Sequence, residues 1–271
     1  MSQEERWQLS GGAAEFYEQY VTHLMAPWVQ SLIEVAALRP GERVVDVACG
    51  TGFVARLAAD LVGVEGQVVG VDLNASMIEA AQAASDVDGK RHIDWQVADV
   101  AALPLDEAAF DVVLCQQGVQ FFPDRVGALE EMRRVLRPGG RLAFTVWSAI
   151  ADTPYFGAVA FALAKQVSAE VGATVHIPCA LHDARELRDL VTSAGFGNVQ
   201  VRPTIKETRL PSSADAVLGR LAATPIAQLV AQMTVDGRAA LVAEITGALT
   251  QYVDGEQWTV PAGVHVVTAE A

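Results

Sequence analysis

Three aspartates and a pair of glycines are the residues of this chain best placed to do chemistry together. Asp46-Val47-Ala48-Cys49-Gly50-Thr51-Gly52 continues an apolar run, Asp72 closes the next such run, and Asp99 closes the one after. Glycines let a ligand approach the backbone, and a helix beginning near Phe53 would present unbonded N–H groups to it. A strand, a glycine turn and a helix in that order form a nucleotide-type cofactor site. Asp72 is then the natural acceptor for both hydroxyls of a ribose, and Asp99 can accept from an adenine amino group. The plainer reading of the same residues is a tight turn without a ligand, with Asp72 and Asp99 as helix caps or solvated loop acids.

Positioning these groups is the task of five short β-branched runs that alternate with helical stretches between Arg43 and Trp147. They are Arg43 to Ala48, Gln67 to Asp72, His92 to Asp99, Phe110 to Cys115 and Arg141 to Trp147. Most are nearly continuous in apolar residues, as strands covered by helices on both faces must be. The class is therefore α/β, a Rossmann-like doubly wound sheet, and the carboxylates share its carboxyl edge, where open α/β sheets bind ligands. Asn74 is a candidate N-cap, and Pro138-Gly139-Gly140 is expected to end the helix of Leu129 to Leu136. Upstream, Ala13 to Ala37 reads as one or two helices that Pro27 should break or kink unless it sits in a first turn.

Downstream the alternation stops. Helices are expected at Tyr155 to Glu170, Asp183 to Ala194, Ser213 to Ala223 and Arg238 to Val253, and strands at Val199 to Leu210 and Gly263 to Glu270. Gly255 and Pro261 mark a turn before the last strand. The division expected is a helical lid over residues 1–37, a cofactor-binding core over 38–148, and 149–271 as a helical cap that also completes the sheet.

Val44-Val45-Asp46-Val47-Ala48-Cys49-Gly50-Thr51-Gly52 resembles the first motif of class I S-adenosylmethionine-dependent methyltransferases, and within them the small-molecule enzymes related to ubiquinone and menaquinone biosynthesis. The resemblance continues through Val71-Asp72, Ala98-Asp99, Phe110-Asp111-Val112-Val113 and Leu136-Arg137-Pro138-Gly139-Gly140-Arg141-Leu142. It implies S-adenosylmethionine as cofactor and S-adenosylhomocysteine as product. It implies that Ala48, Cys49, Gly50, Thr51 and Gly52 face the methionine part, that Asp72 holds the ribose and that Asp99 reads the adenine, with Leu73, Met77, Ala98 and Val100 also expected at the cofactor. Gln116, Gln117 and Gln120 fall where the loop after the fourth strand passes the cofactor. Asp46 would fix the loop or reach the amino group through water, Tyr17 and Tyr20 would fold over the cofactor, and the last strand would insert antiparallel beside the fifth. The competing nicotinamide-dependent reductase fits less well, because Gly50-Thr51-Gly52-Phe53-Val54-Ala55 departs from a full GxGxxG. Asp46 would also repel an anionic pyrophosphate, whereas it attracts a cofactor with sulfonium and ammonium groups. A non-catalytic protein binding S-adenosylmethionine is a further alternative.

Methyl transfer from a sulfonium is an in-line displacement that demands alignment and no obligatory nucleophile. A base helps only if the acceptor is a phenol or enol; His23, His176, His182, Tyr17 and Tyr20 are the candidates, with surface or helix-end positions as the plainer reading. Gln117, Gln120, Phe121 and Phe122 point into the mouth of the site or cap a helix beneath Pro123. Phe156, Phe161, Met233 and Trp258 make either an apolar acceptor pocket or ordinary core.

The net charge of -14 disfavours a surface that tracks nucleic-acid phosphates, so a small-molecule acceptor is expected. Cys49, Cys115 and Cys179 are odd in number with no CxxC pair, which points away from disulfides and zinc and toward the cytoplasm. No metal is expected. Met1 to Ser10 does not read as a signal peptide, and no apolar run reaches the roughly 18 residues of a membrane span. The oligomeric state is left open, a homodimer being one option.

Overall fold

The computed structural model describes residues 13–88 and 93–271. Met1 to Gly12, with the amino-terminal part of the expected lid, lie outside the described residues, as do His92 and the side chain of His23. The described residues form two compact units, one drawn from 13–27, 147–182 and 204–264, the other from 28–88, 93–146, 183–203 and 265–271.

The second unit carries the strands β1 (Arg43–Val47), β2 (Gln67–Asp72), β3 (Ile93–Val97), β4 (Phe110–Gln116) and most of β5 (Leu136–Trp147). Two long strands, β6 (Gly197–Pro211) and β8 (Gln257–Glu270), contribute to both units, and a short β7 (Val253–Asp254) pairs with β8. The sheet order is β3-β2-β1-β4-β5-β8-β6. β1 to β5 are parallel. The last strand runs the other way: Gly139 N–H donates to Ala271 O at one end of β5, and Ser148 N–H donates to Gly263 O at the other. This is the Rossmann-like, mostly parallel sheet with an antiparallel strand beside the fifth.

Between these strands lie α3 (Phe53–Val62), α4 (Ala75–Asp88) and α5 (Arg125–Val135), with α8 (Ala184–Ser193) entering the same unit before β6. Burial explains the apolar runs: Val44, Val45, Val68, Val69, Val112, Val113 and Leu114 are all at most 1% exposed. Glu42 accepts from both the Arg39 backbone N–H and the Arg141 guanidinium, which also bonds the Ala36 carbonyl, and so pins the entry to β1.

The first unit contains α1 (Ala13–Tyr17), α6 (Pro154–Gln166), α7 (Ala169–Thr174), α9 (Ala214–Ala222), α10 (Ala227–Gln232) and α11 (Val235–Ala248). Its core gathers Val159, Leu163, Val217, Leu241, Ile245 and Trp258.

Several sequence expectations need correction. Pro27 neither breaks the upstream helix nor sits in its first turn: it is the fifth residue of α2 (His23–Ala36), and a π-helical turn over Glu18–Thr22 joins α1 to α2 without interruption. The proline ring removes one backbone donor and crowds the carbonyl four residues back, that of His23, which directly follows the wider turn. Pro138-Gly139-Gly140 does not lie between helix and strand but inside β5, because Gly139 and Gly140 bond the chain's last residue. Pro261 lies within β8, not in a turn; the turn is Gly255-Glu256, with Gly255 at φ +63°. α10 and β7 had no counterpart in the sequence reading.

Candidate functional site

Each parallel strand delivers its last residues to the carboxyl edge, and the period of two decides which side chains meet there. Asp46 stands opposite Gly70 on one side and Leu114 on the other, Gly70 stands opposite Trp95, and Gln116 opposite Thr145. Asp46, Trp95, Gln116 and Thr145 thus lie on one face of the sheet.

Trp95 explains two of the glycines. A Cβ on Gly70 would come within 2.3 Å of its ring, and one on Gly52 within 2.2 Å. Gly52, at φ +80°, is therefore required by packing as well as by backbone conformation. Gly50 differs: at φ +53° it meets nothing within 4 Å, so its backbone is open to an approaching group. Ala48 and Gln117, the residues just beyond β1 and β4, are both non-glycine at φ +55°. Left-handed residues of this kind concentrate at ligand sites, where surrounding structure over-determines them.

Asp72 ties the loop down. Its Oδ2 accepts from the Gly50 N–H at 2.9 Å and its Oδ1 from the Asn74 N–H at 2.9 Å. Burial raises its carboxyl above the ordinary range, opposed by these two bonds. Thr51 is buried, and its carbonyl accepts from the Arg56 guanidinium at 2.5 Å. Cys49 N–H donates to Val71 O, and Gly52 N–H to Cys49 O. Asn74 caps α4, its Oδ1 accepting from Ser76 N–H.

Asp46 is 1% exposed and neither carboxylate oxygen has a hydrogen bond, so it does not fix the loop by direct bonding. Burial pushes its carboxyl up to about 8; the nearby Ala55 N–H, outside hydrogen-bond geometry, pulls it down, and the charge of Asp72 pushes it up. The same edge holds more buried polar atoms without partners: Nε2 of Gln116, Nε2 of Gln117, Oε1 of Gln120 and Oγ1 of Thr145. Gln120 Nε2 donates to Gln117 Oε1 at 2.9 Å, which joins two of the glutamines but leaves these atoms unmatched.

Asp99 is exposed, and its Oδ1 accepts from the Ala101 N–H, capping a short 3-10 turn over Val100–Ala102. Ala98 is half-buried, its N–H donating to Asp72 O. Met77 is buried while Leu73 stands 52% exposed beside Asp72. Cys49 and Cys115 are buried and both thiols are pushed up by burial, so neither is a thiolate nucleophile.

In the other unit the Tyr20 ring lies on Gly219, where a Cβ would come within 2.5 Å, and Tyr20 stacks with Phe16 at 6.2 Å. Tyr17 is half-buried. Trp258 is fully buried, Phe156 packs edge-on to Trp147 at 5.0 Å, Met233 is partly buried, and Phe161 is 57% exposed. His182 bonds Cys179 O through Nδ1. Among the described residues, no three His, Cys, Asp or Glu gather as a metal site, and no helix is long and apolar enough to cross a membrane. Trp95 and Thr145 escaped the sequence reading. Gly70 inside an otherwise valine-rich strand was the available signal for Trp95, since a strand glycine marks close approach.

Fold and edge together define a doubly wound α/β sheet whose carboxyl edge carries a glycine turn beside the buried carboxylate of Asp46. Residues 45–144 match the family model described as a methyltransferase domain. The aklanonic acid methyltransferase of Streptomyces sp. strain C5 is 36% identical over 48% of this chain and 59% of its own length. The 2-phytyl-1,4-naphtoquinone methyltransferase of Synechococcus elongatus is 36% identical over 43% of this chain and 50% of its own. The chain thus spans about half the length of these curated relatives. A Haemonchus contortus phosphoethanolamine N-methyltransferase solved with S-adenosylhomocysteine shares the fold, with a TM-score of 0.58 and 18% identity over 90% of this chain and 52% of its own.

Proposed function

We propose that this chain transfers a methyl group from S-adenosylmethionine to a small, apolar organic acceptor. The observation that carries the reading is the concentration of unpartnered buried polar atoms at one sheet edge: Asp46, Gln116, Gln117, Gln120 and Thr145. Buried groups of this kind are costly unless a ligand or water completes them, and they frame a loop whose Gly50 backbone is open. The fit to the cofactor is chemical. Asp46 offers a carboxylate to an ammonium, Asp72 has lone pairs beyond the two backbone bonds for a ribose diol, and Leu73 offers an apolar surface to a purine. Of the relatives described above, one is named for aklanonic acid and another for a phytyl naphthoquinone, and both compounds are in keeping with the class proposed.

When bound, S-adenosylmethionine supplies an electrophilic methyl carbon on a sulfonium. Gly50 and Ala48 leave the backbone accessible, Asp72 orients the ribose, and the glutamine amides fix the direction of approach. Alignment of this kind is worth on the order of 7 to 11 kcal/mol of barrier. Cys49 and Cys115, held as thiols, do not compete for the methyl group.

Calorimetric titration with S-adenosylmethionine and S-adenosylhomocysteine, with NAD as comparison, tests the cofactor. A radiolabelled methyl-transfer screen of apolar phenols, hydroquinones and carboxylic acids then tests the reaction. NAD binding as tightly as S-adenosylhomocysteine would overturn the proposal, and so would cofactor binding with no transfer to any acceptor class.

A further inference from the structure

The helical unit holds a buried cation for which the described residues provide no anion. Arg220, on α9, is 5% exposed. Its Nε donates to the Tyr155 hydroxyl at 3.1 Å and its Nη2 to the Pro211 carbonyl at 2.9 Å, both neutral acceptors. The guanidinium carbon lies 5.1 Å from the centre of the Tyr155 ring and 5.9 Å from that of Trp258. Among the described residues no carboxylate lies within ion-pair distance of it. A guanidinium carries five N–H donors, so two bonds leave others unused. Burying a charge costs several kcal/mol unless an opposite charge or hydrogen bonds offset it, and ring faces offset only part.

Trp258 is the second, independent observation. It is fully buried, yet its indole N–H has no hydrogen-bond partner. The Tyr155 hydroxyl accepts from Arg220 and so retains its own proton to donate. Three donors, one of them cationic, thus meet among aromatic rings in the core of this unit, inside a protein of net charge -14. That overall charge repels an anionic ligand, and a local unpaired guanidinium is what such a ligand would need.

We propose that Arg220, Tyr155 and Trp258 recognise an anionic oxygen group on an aromatic ligand, an aromatic carboxylate. Arg220 binds the carboxylate through its unused N–H groups, Trp258 Nε1–H and the Tyr155 hydroxyl complete it, and the rings cover the aromatic body.

The test uses the whole protein with 2-naphthoate and its neutral isostere naphthalene-2-carboxamide as probes, followed by calorimetry. The carboxylate is expected to bind about tenfold more tightly than the amide, as a charge-assisted bond dictates. Arg220→Gln should erase that preference and Arg220→Lys should keep part of it. Trp258→Phe removes an N–H that has no partner in the free protein and should weaken naphthoate binding about threefold, while the smaller ring at a fully buried position should also lower the melting temperature. In a nitrogen-resolved proton spectrum, one of the five tryptophan indole signals should move on adding naphthoate, and it should be the one that Trp258→Phe deletes. Equal binding of both probes, binding of neither, a preference that survives in Arg220→Gln, or an unmoved Trp258 signal would each overturn the proposal. S-adenosylhomocysteine titrated into the same wild-type sample reports on the cofactor separately, so failure there leaves the naphthoate result standing.

Discussion

Two glycines separated by one residue are expected to respond differently to the same substitution. At Gly52 an added methyl strikes the Trp95 ring in a left-handed backbone, so Gly52→Ala should lower stability by about 2 to 4 kcal/mol, overpacking and backbone strain together. Urea unfolding measures it, and Gly52→Ala with Trp95→Leu should recover the packing part; no recovery would mean that Trp95 is not the obstacle. Gly50→Ala carries the backbone cost of about 1 to 2 kcal/mol with no collision, and its methyl enters the open space where the ligand would lie. It should therefore weaken S-adenosylhomocysteine binding more than it lowers stability. Asp72 has two duties, holding the Gly50 and Asn74 N–H groups and offering lone pairs to a ribose. Asp72→Ala should weaken S-adenosylhomocysteine binding by about 1 to 3 kcal/mol in titration calorimetry, and also lower the melting temperature. An unchanged dissociation constant in a folded variant would move the ribose elsewhere.

At the scale of the element, the segment from α1 to α2 contains its own conflict. A π-turn holds one residue more than an α-turn, so Glu18–Thr22 rotates what precedes it by about 100° relative to a regular helix. Pro27 lies just beyond, in a helix interior where proline costs about 3 kcal/mol. Pro27→Ala restores the missing donor, so thermal unfolding should shift upward. If the π-turn serves to set Tyr20 on Gly219, the same variant should lose methyl-transfer activity as that register relaxes. A gain in stability at full activity would show that the turn only accommodates the proline.

For the whole molecule, stability should depend on pH with a sign fixed by Asp46. Its carboxyl titrates near 3.8 when unfolded and is pushed up to about 8 when folded, so between those values the folded chain binds more proton than the unfolded one. The stabilisation is complete below 3.8 and is lost as pH rises toward 8. Asp72, raised for the same reason of burial, adds in the same direction. The melting temperature of the free protein should fall across this window, and Asp46→Asn should flatten the decline. A cofactor ammonium favours the ionised form, so S-adenosylmethionine binding near neutral pH should release a proton, read by calorimetry in buffers of different ionisation enthalpy. No dependence on the buffer would place the ammonium away from Asp46.

The sequence by itself determined the parallel core. Apart from Asp46, Val44 to Val47, Val68 to Val71 and Val112 to Leu114 carry no polar side chain because both faces of those strands are covered, and a glycine turn after the first of them is a local event written in adjacent residues. Where pairing depends on residues far apart, the sequence was silent or misleading. β5 begins at Leu136 because the chain's last residue bonds Gly139 and Gly140, so a Pro-Gly-Gly stretch that reads as a helix end becomes strand. β8 runs through Pro261 from the hairpin at Gly255, and the upstream helix passes Pro27 by widening the turn before it. Gly70 and Gly52 have their reason in Trp95, twenty-five residues or more away in the chain, and only the register of β2 with β3 shows it. Local conformation is set by neighbours in sequence. Which polar atoms are buried without partners, Asp46, Thr145 and Trp258 among them, is set by contacts that exist only after the chain has folded.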